Sequence, residues 1–178
     1  MVDLVVLQSV SYVAAAIGVC VAAFYYILTL WNNNRTRHAQ LFMQLAGELH
    51  SKEQLEDSIE LLHMEWDDLD DFFRKYDSSV NPKNYALRAC VWTKLDATGL
   101  LLKKGLIDRE MVYYLLGGFY SIWMWKRFES VIKHDREALN LPEYMVWFEY
   151  LSNETVRMLE KHGYTDEVPK GWDAIKPE

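Results

Sequence analysis

The sequence predicts an all-α protein: one N-terminal transmembrane helix followed by a cytoplasmic bundle of four to five helices. Three observations predict it. Residues Leu4 to Trp31 carry no charged side chain. The rest of the chain shows apolar residues at helical spacing between recognisable caps. No segment alternates with period two, and no hairpin dipeptide joins two apolar runs.

The uncharged run has 28 residues. A bilayer's hydrocarbon core of roughly 30 Å needs about 20 apolar residues in a helix, so the run spans it with length to spare. It does not have the form of a signal peptide. The start, Met1-Val2-Asp3, has no basic residue, and the apolar stretch is about twice the 7–15 residues of a signal core. We therefore expect a retained anchor over residues 1–34, a helical domain over 35–163 and an irregular tail over 164–178.

Flanking charge sets the expected orientation. Only Asp3 precedes the run, whereas Arg35 and Arg37 follow it, with no acid until Glu48. Positive residues stay on the cytoplasmic side. The expectation is a single-pass protein of the cell membrane, N-terminus outside and C-terminal domain cytoplasmic. The sequon Asn153-Glu154-Thr155 would be exoplasmic only in the reverse topology, and it falls in a predicted helix. Tyr25, Tyr26 and Trp31 suit an aromatic belt at the inner interface, beside Arg35 and Arg37. Ala14, Gly18 and Ala22 recur every four residues and stack on one face. Small residues at that spacing let two backbones approach in lipid. The expected partners are the bilayer and another membrane helix, from a second copy or a different protein.

The chain is 51% hydrophobic and 14% aromatic, with a net charge of −7. Outside the anchor this composition supports one folded domain rather than disorder. Cys20 and Cys90 make neither a disulfide framework nor a cysteine metal site. Between Glu48 and Tyr76 ten acidic residues face three basic ones, an excess of seven that equals the charge of the whole chain. Such a face repels nucleic acid and anionic lipid, so no nucleic-acid partner is expected.

The helices follow in order. Leu41, Leu45 and Leu49, with Phe42, continue the anchor or form a short second helix. Ser51 reads as an N-cap, with Gln54 completing a capping box. Leu55, Ile59, Leu62, Trp66, Leu69, Phe73 and Tyr76 then alternate gaps of four and three, a heptad seam. With Leu55 at d and Ile59 at a, the flanking positions hold Ser58, Glu56, Glu65, His63, Asp70 and Phe72, never a base. Like charges oppose a homodimer through this seam and favour packing inside the bundle. Asn81 caps the next helix, with Pro82 at its first position. Tyr85, Ala89, Trp92, Leu95, Gly99 and Leu102 form its apolar line, Lys103 and Lys104 suit its C-terminal dipole, and Gly105 stops it. Asp108 caps a helix containing the uncharged stretch Met111–Trp125, read as the buried central helix. There Gly117-Gly118 permits a close approach or a kink. The last helix runs from Pro142 to Gly163, with Tyr144, Trp147, Phe148, Leu151, Thr155 and Leu159 inward. Trp172 is placed to tie down the tail.

Three segments, Arg35-Thr-Arg-His-Ala-Gln-Leu-Phe, Gly105-Leu-Ile-Asp and Leu141-Pro-Glu-Tyr through Trp147-Phe-Glu-Tyr-Leu151, resemble an uncharacterised prokaryotic family with one N-terminal membrane helix and a helical cytoplasmic domain. The resemblance covers roughly Leu4 to Leu159. It implies the anchor-plus-helices architecture and carries no activity or catalytic residue.

No catalytic constellation emerges. Glu60-Leu-Leu-His63 is a single Glu-x-x-His where di-iron bundles need two. Asp67-Asp68-Leu-Asp70-Asp71 lacks the EF-hand spacing. His134 and Asp135 are adjacent on a helix and do not face each other. Trp123, Trp125 and Trp147 fit a core. No cofactor is expected. The leading expectation is a non-enzymatic membrane protein whose helical domain serves protein–protein interaction, as a small or accessory subunit of a membrane complex. The alternative is a membrane-tethered metal-binding or ligand-sensing domain using Glu60, His63 and the aspartates, or the tryptophans.

Overall fold

A computed structural model describes residues 4–164. The chain divides into two units, residues 1–40 and residues 41–178. Among the described residues there are seven helices and no strand.

The charge-free run needs no partner to be helical, because every backbone group from its second turn on is satisfied within the helix. It forms most of α1, Leu4–Leu49. The helix is long and apolar enough to cross a membrane. The leucine repeat after residue 40 continues α1 rather than starting a new helix. Its last turns belong to the second unit, where Leu49 is buried and Phe42, Leu45 and Ala46 pack against the core.

The second unit contains α2 (Lys52–Leu62), α3 (Leu69–Tyr76), α4 (Pro82–Lys103), α5 (Arg109–Leu115), α6 (Tyr120–Ala138) and α7 (Val146–Lys161). Four expected signals act at the expected helix ends, although the Ser51 cap is not a capping box, because the Gln54 side chain turns to Lys94 instead of back to Ser51 N. Ser51 Oγ accepts the Gln54 N–H, Asn81 Oδ1 accepts from Asn84 N, and Asp108 Oδ1 accepts from Glu110 N and Met111 N. Gly105 closes α4 at φ +67°, with its own N–H bonded to Leu102 O and that of Leu106 to Leu101 O. That paired pattern is a Schellman stop, and it needs the left-handed φ that glycine adopts freely.

The helix count exceeds four to five because two segments expected to be continuous are broken; separately, the last helix starts later than Pro142. The heptad seam is the first. It splits between His63 and Asp68, since Asp68 Oδ1 accepts from Asp71 N and starts α3 as a new helix. Aspartate competes with helix backbone and favours a cap. Side chains from elsewhere take up the freed carbonyls: Arg127 Nε donates to Leu61 O at 3.3 Å, and Lys75 and Tyr76 each donate to Glu65 O at 3.3 Å. Leu62, Trp66, Leu69, Phe73 and Tyr76 pack against the core, but Leu55 and Ile59 are 49% and 54% exposed. The seam is therefore not one inward stripe.

The second break divides the expected central helix. Gly117 and Gly118 have φ of +61° and +75°, and Gly118 N bonds back to Tyr113 O, so α5 ends and α6 begins at Tyr120. At the third position Pro142 does not start a helix. Asn140 and Met145 are left-handed, residues 142–145 form a turn, and α7 starts at Val146. Tail residues 165–178, with Trp172, lie outside the described residues.

The core is the aromatic-rich space between α4, α6 and α7. The α4–α7 pairing is the most extensive between helices. Phe72, Phe128 and Phe148 are completely buried, as are Leu95, Met124, Ile132 and Leu151. Trp66 stacks on Phe128 at 5.4 Å, and Trp125 meets Phe148 edge-to-face at 5.3 Å. Each fully buried phenylalanine contributes roughly 1.5–3 kcal/mol.

Asp71 anchors α3 and makes one testable case. Its carboxylate takes a hydrogen bond from Lys75 Nζ at 2.7 Å, one from Asp67 N at 3.2 Å, and one from Arg74. These partners, Lys75 first, hold the carboxyl down from its ordinary 3.8 to about 2. A carboxyl more acidic in the folded than in the unfolded chain stabilises at pH above its unfolded value and loses that contribution as the pH falls to its folded one. Tryptophan emission during acid titration should therefore report loosening between about pH 4 and about pH 2 that Asp71→Asn removes. Superimposable titrations of the two proteins would refute this role.

Candidate functional site

Two places carry unusual chemistry, one in each unit. On α1, Ala14, Gly18 and Ala22 are exposed, and a side chain built on Gly18 would meet nothing within 4 Å. Ser9, Val10, Val13, Ala14 and Ile17 line a shallow apolar hollow on the same helix. Three polar side chains of this helix are satisfied within it: Ser11 Oγ donates to Leu7 O at 2.9 Å, Thr29 Oγ1 to Tyr25 O at 2.8 Å, and Gln8 Nε2 to Tyr12 Oη at 3.0 Å. A helix that satisfies its own polar groups is suited to a solvent that offers none. Tyr25, Tyr26 and Trp31 are exposed at its later turns. Arg35 lies 6.0 Å over the Trp31 ring, within cation–π range, and Arg37 is exposed nearby in sequence.

The helical domain encloses polar groups that the periodicity did not mark. Gln54 and Ser58 of α2 are buried, and they meet α4 and α6. Lys94 Nζ donates to Gln54 Oε1 at 2.5 Å, and Ser58 Oγ lies 2.6 Å from Tyr120 Oη. Ser58 has one hydrogen, directed to Gln54 O at 2.6 Å, so Tyr120 is the donor in the Ser58 pair. Burial pushes the Tyr120 phenol up, which keeps it a donor. A second chain joins α6 to α7: Ser121 Oγ to Thr155 Oγ1 at 3.0 Å, then Thr155 to Leu151 O at 2.8 Å. That bond places the sequon's Thr155 inside the bundle.

Arg88 of α4 is 4% exposed and sits among Phe72, Tyr85 and Trp92 at 4.6 to 5.7 Å. Its Nη2 donates to Tyr76 O at 2.8 Å, closing the end of α3. Burial lowers the Arg88 pKa and raises that of Asp135. The same burial, reinforced by Asp135, pushes Tyr144 up to about 12. Next to this cluster the left-handed turn before α7 is held from two sides. Arg136 donates to Tyr144 O at 2.7 Å, Met145 O at 3.2 Å and Glu149 Oε2 at 2.7 Å. Asp96 Oδ1 accepts from both Trp147 N and Phe148 N at 2.9 Å, acting as an N-cap supplied by another helix.

The Glu-x-x-His pair does not enter this interior. Glu60 and His63 are exposed, and among the described residues no three His, Cys, Asp or Glu side chains are placed to share a metal ion. Asp68 and Asp71 are used in capping and pairing α3. His134 Nδ1 does approach Asp135 Oδ1, to 3.8 Å, closer than helical neighbours were expected to come but beyond hydrogen-bond reach. Trp125 is core, while Trp123 and Trp147 are half-buried. Cys20 and Cys90 are both free and exposed.

A family model described as "Domain of unknown function (DUF4760)" matches residues 12–155. The chain belongs to the DUF4760 family. The DUF4760 match begins within the apolar part of α1 and ends in α7, so it takes in the small-residue face, the polar interior and the Arg136–Asp96 turn. No curated protein and no solved structure matches the chain. DUF4760 membership agrees with the resemblance to an uncharacterised family and carries no activity.

Proposed function

We propose that this DUF4760 protein is a single-pass protein of the cell membrane, N-terminus outside, whose cytoplasmic helical domain serves protein–protein interaction as an accessory subunit of a membrane complex. One observation carries the reading: the apolar part of α1 leaves its large side chains, Leu4 and those from Val6 to Trp31, exposed to the surroundings. Burying apolar surface gains roughly 25 cal/mol per Å². A helix of this length that the described residues leave uncovered is suited to lipid, and in lipid its small-residue face allows a second helix to approach. Arg35 and Arg37, at the C-terminal end of the apolar stretch, support a cytoplasmic helical domain.

Purification from native membranes in mild detergent tests it. The full chain should emerge as an oligomer or with a co-purifying protein, and Gly18→Ile should strip that association while leaving the helical content intact. A monodisperse chain without a partner, before any substitution, would overturn the reading. Unchanged association in Gly18→Ile would remove the Ala14–Gly18–Ala22 face from it.

A further inference from the structure

α2 packs with two neutral polar side chains inward. Gln54, Ser58 and Leu61 share one face and are buried, Gln54 at 1% exposure. Leu55 and Ile59 lie about 100° round the helix and stand in the open. Rotation by that angle would bury both aliphatic side chains and release the two polar ones. The bonds from Gln54 and Ser58 to Lys94 and Tyr120 prevent it. Gln54 Nε2 is left without a hydrogen-bond partner by the arrangement. Single exposed leucines are ordinary. A pair at i, i+4, displaced from the core by buried polar residues on its own helix, is an anchor pattern for another helix.

We infer that the Leu55–Ile59 stripe of α2 is a docking surface for a basic amphipathic helix of a partner protein. The inference rests on the interaction reading above and supplies its partner's chemistry. Charge selects the occupant. Glu56 and Glu60 are exposed along one edge of the stripe, Glu53 lies farther round the helix, and the one base of α2, Lys52, is paired with Glu56 at 3.3 Å. A second copy would bring the same acids face to face. Anionic lipid is repelled for the same reason. The chain's own tail, 165–178, has four acids against two lysines and is repelled as well. A helix presenting aliphatic anchors between lysines or arginines satisfies both the stripe and its rim, and electrostatic complementarity of this kind fixes partner choice.

The test places a photoreactive benzoylphenylalanine at position 59 of the full chain, in native membranes, with the same group at Glu137 as an exposed control. Irradiation should yield an adduct at position 59 with a peptide of another protein that is net positive and carries aliphatic anchors. Glu56→Lys with Glu60→Lys should cut its yield about tenfold, because like charges then meet across the contact. Those side chains are exposed, and unchanged helical circular dichroism verifies the fold. Leu55→Asn provides a second variant that should lower the yield without altering charge. An adduct with lipid, with a second copy, with the tail or with an acidic peptide overturns the inference, as does a yield equal to the control or indifferent to charge reversal. If position 59 gives no adduct while the chain still co-purifies with a partner sensitive to Gly18→Ile, the docking surface falls and the interaction reading stands. If neither appears, both fall.

Discussion

Gly99→Ala should destabilise the helical domain by roughly 3 kcal/mol or more, a large overpacking cost. The methyl group would sit 1.9 Å from Trp147 O and 2.7 Å from its carbonyl carbon. Those are backbone atoms of α7, not the end of a side chain that could swing away. Alanine is worth about 1 kcal/mol more than glycine in a helix interior, so on propensity alone the substitution would stabilise. The clash decides the sign. Relief requires α7 to move off α4, which opens the most extensive helix pairing in the fold and unpacks the fully buried Phe148 and Leu151. Thermal unfolding of the full chain in detergent, followed by circular dichroism, measures it. A melting temperature equal to or above that of the parent would refute the close approach.

Asp96→Ala should cost about 2 kcal/mol, in the upper range for loss of a cap. One carboxylate oxygen serves two backbone N–H groups, Trp147 and Phe148. Met145, in the N-cap position, supplies no side-chain bond of its own. Phe148 is fully buried, so water cannot readily replace the lost acceptor at its N–H. Asp96→Asn keeps an acceptor oxygen but loses its charge, and should cost less than half as much. Arg136 braces the same turn through the carbonyls of Tyr144 and Met145, so damage at Asp96 should stay local. Amide hydrogen exchange should show the loss of protection concentrated at residues 146–149. Uniform loss across all helices, or equal effects of Ala and Asn, would contradict a capping role.

The elements that could be read from sequence are those whose cause is local. Ser51, Asn81-Pro82, Asp108 and Gly105 act within one turn of chain, and each does in the structure what its residue type implies. The small-residue face of α1 was legible for the same reason, since its spacing is a property of one helix. The heptad seam failed because its 4–3 spacing persists through a break. Asp68 starts a new helix locally, but only Arg127, Lys75 and Tyr76 make the break before it tolerable by taking up the freed carbonyls of Leu61 and Glu65. Pro142 failed as a helix start because Arg136 and Asp96, from α6 and α4, stabilise a left-handed turn after it. The buried Gln54, Ser58, Lys94 and Tyr120 escaped notice because polar residues on a helix register as its wet face. The available hint was that Gln54 and Ser58 fall in phase with Leu61.

The sequence by itself determined that this chain is helical, that its first helix is apolar along a bilayer's thickness, and that its charge is concentrated between Glu48 and Tyr76. Length, periodicity and net charge are sums over residues and do not depend on who neighbours whom. Only the tertiary structure decided that α2 and α3 are separate helices, that α7 starts late, why Gly99 must be glycine, and that α2 buries Gln54 and Ser58 while showing Leu55 and Ile59. Each of those outcomes is a competition between a local preference and a hydrogen bond or contact from a distant helix. In a buried site an unmade hydrogen bond costs about 1–3 kcal/mol, more than most local preferences are worth.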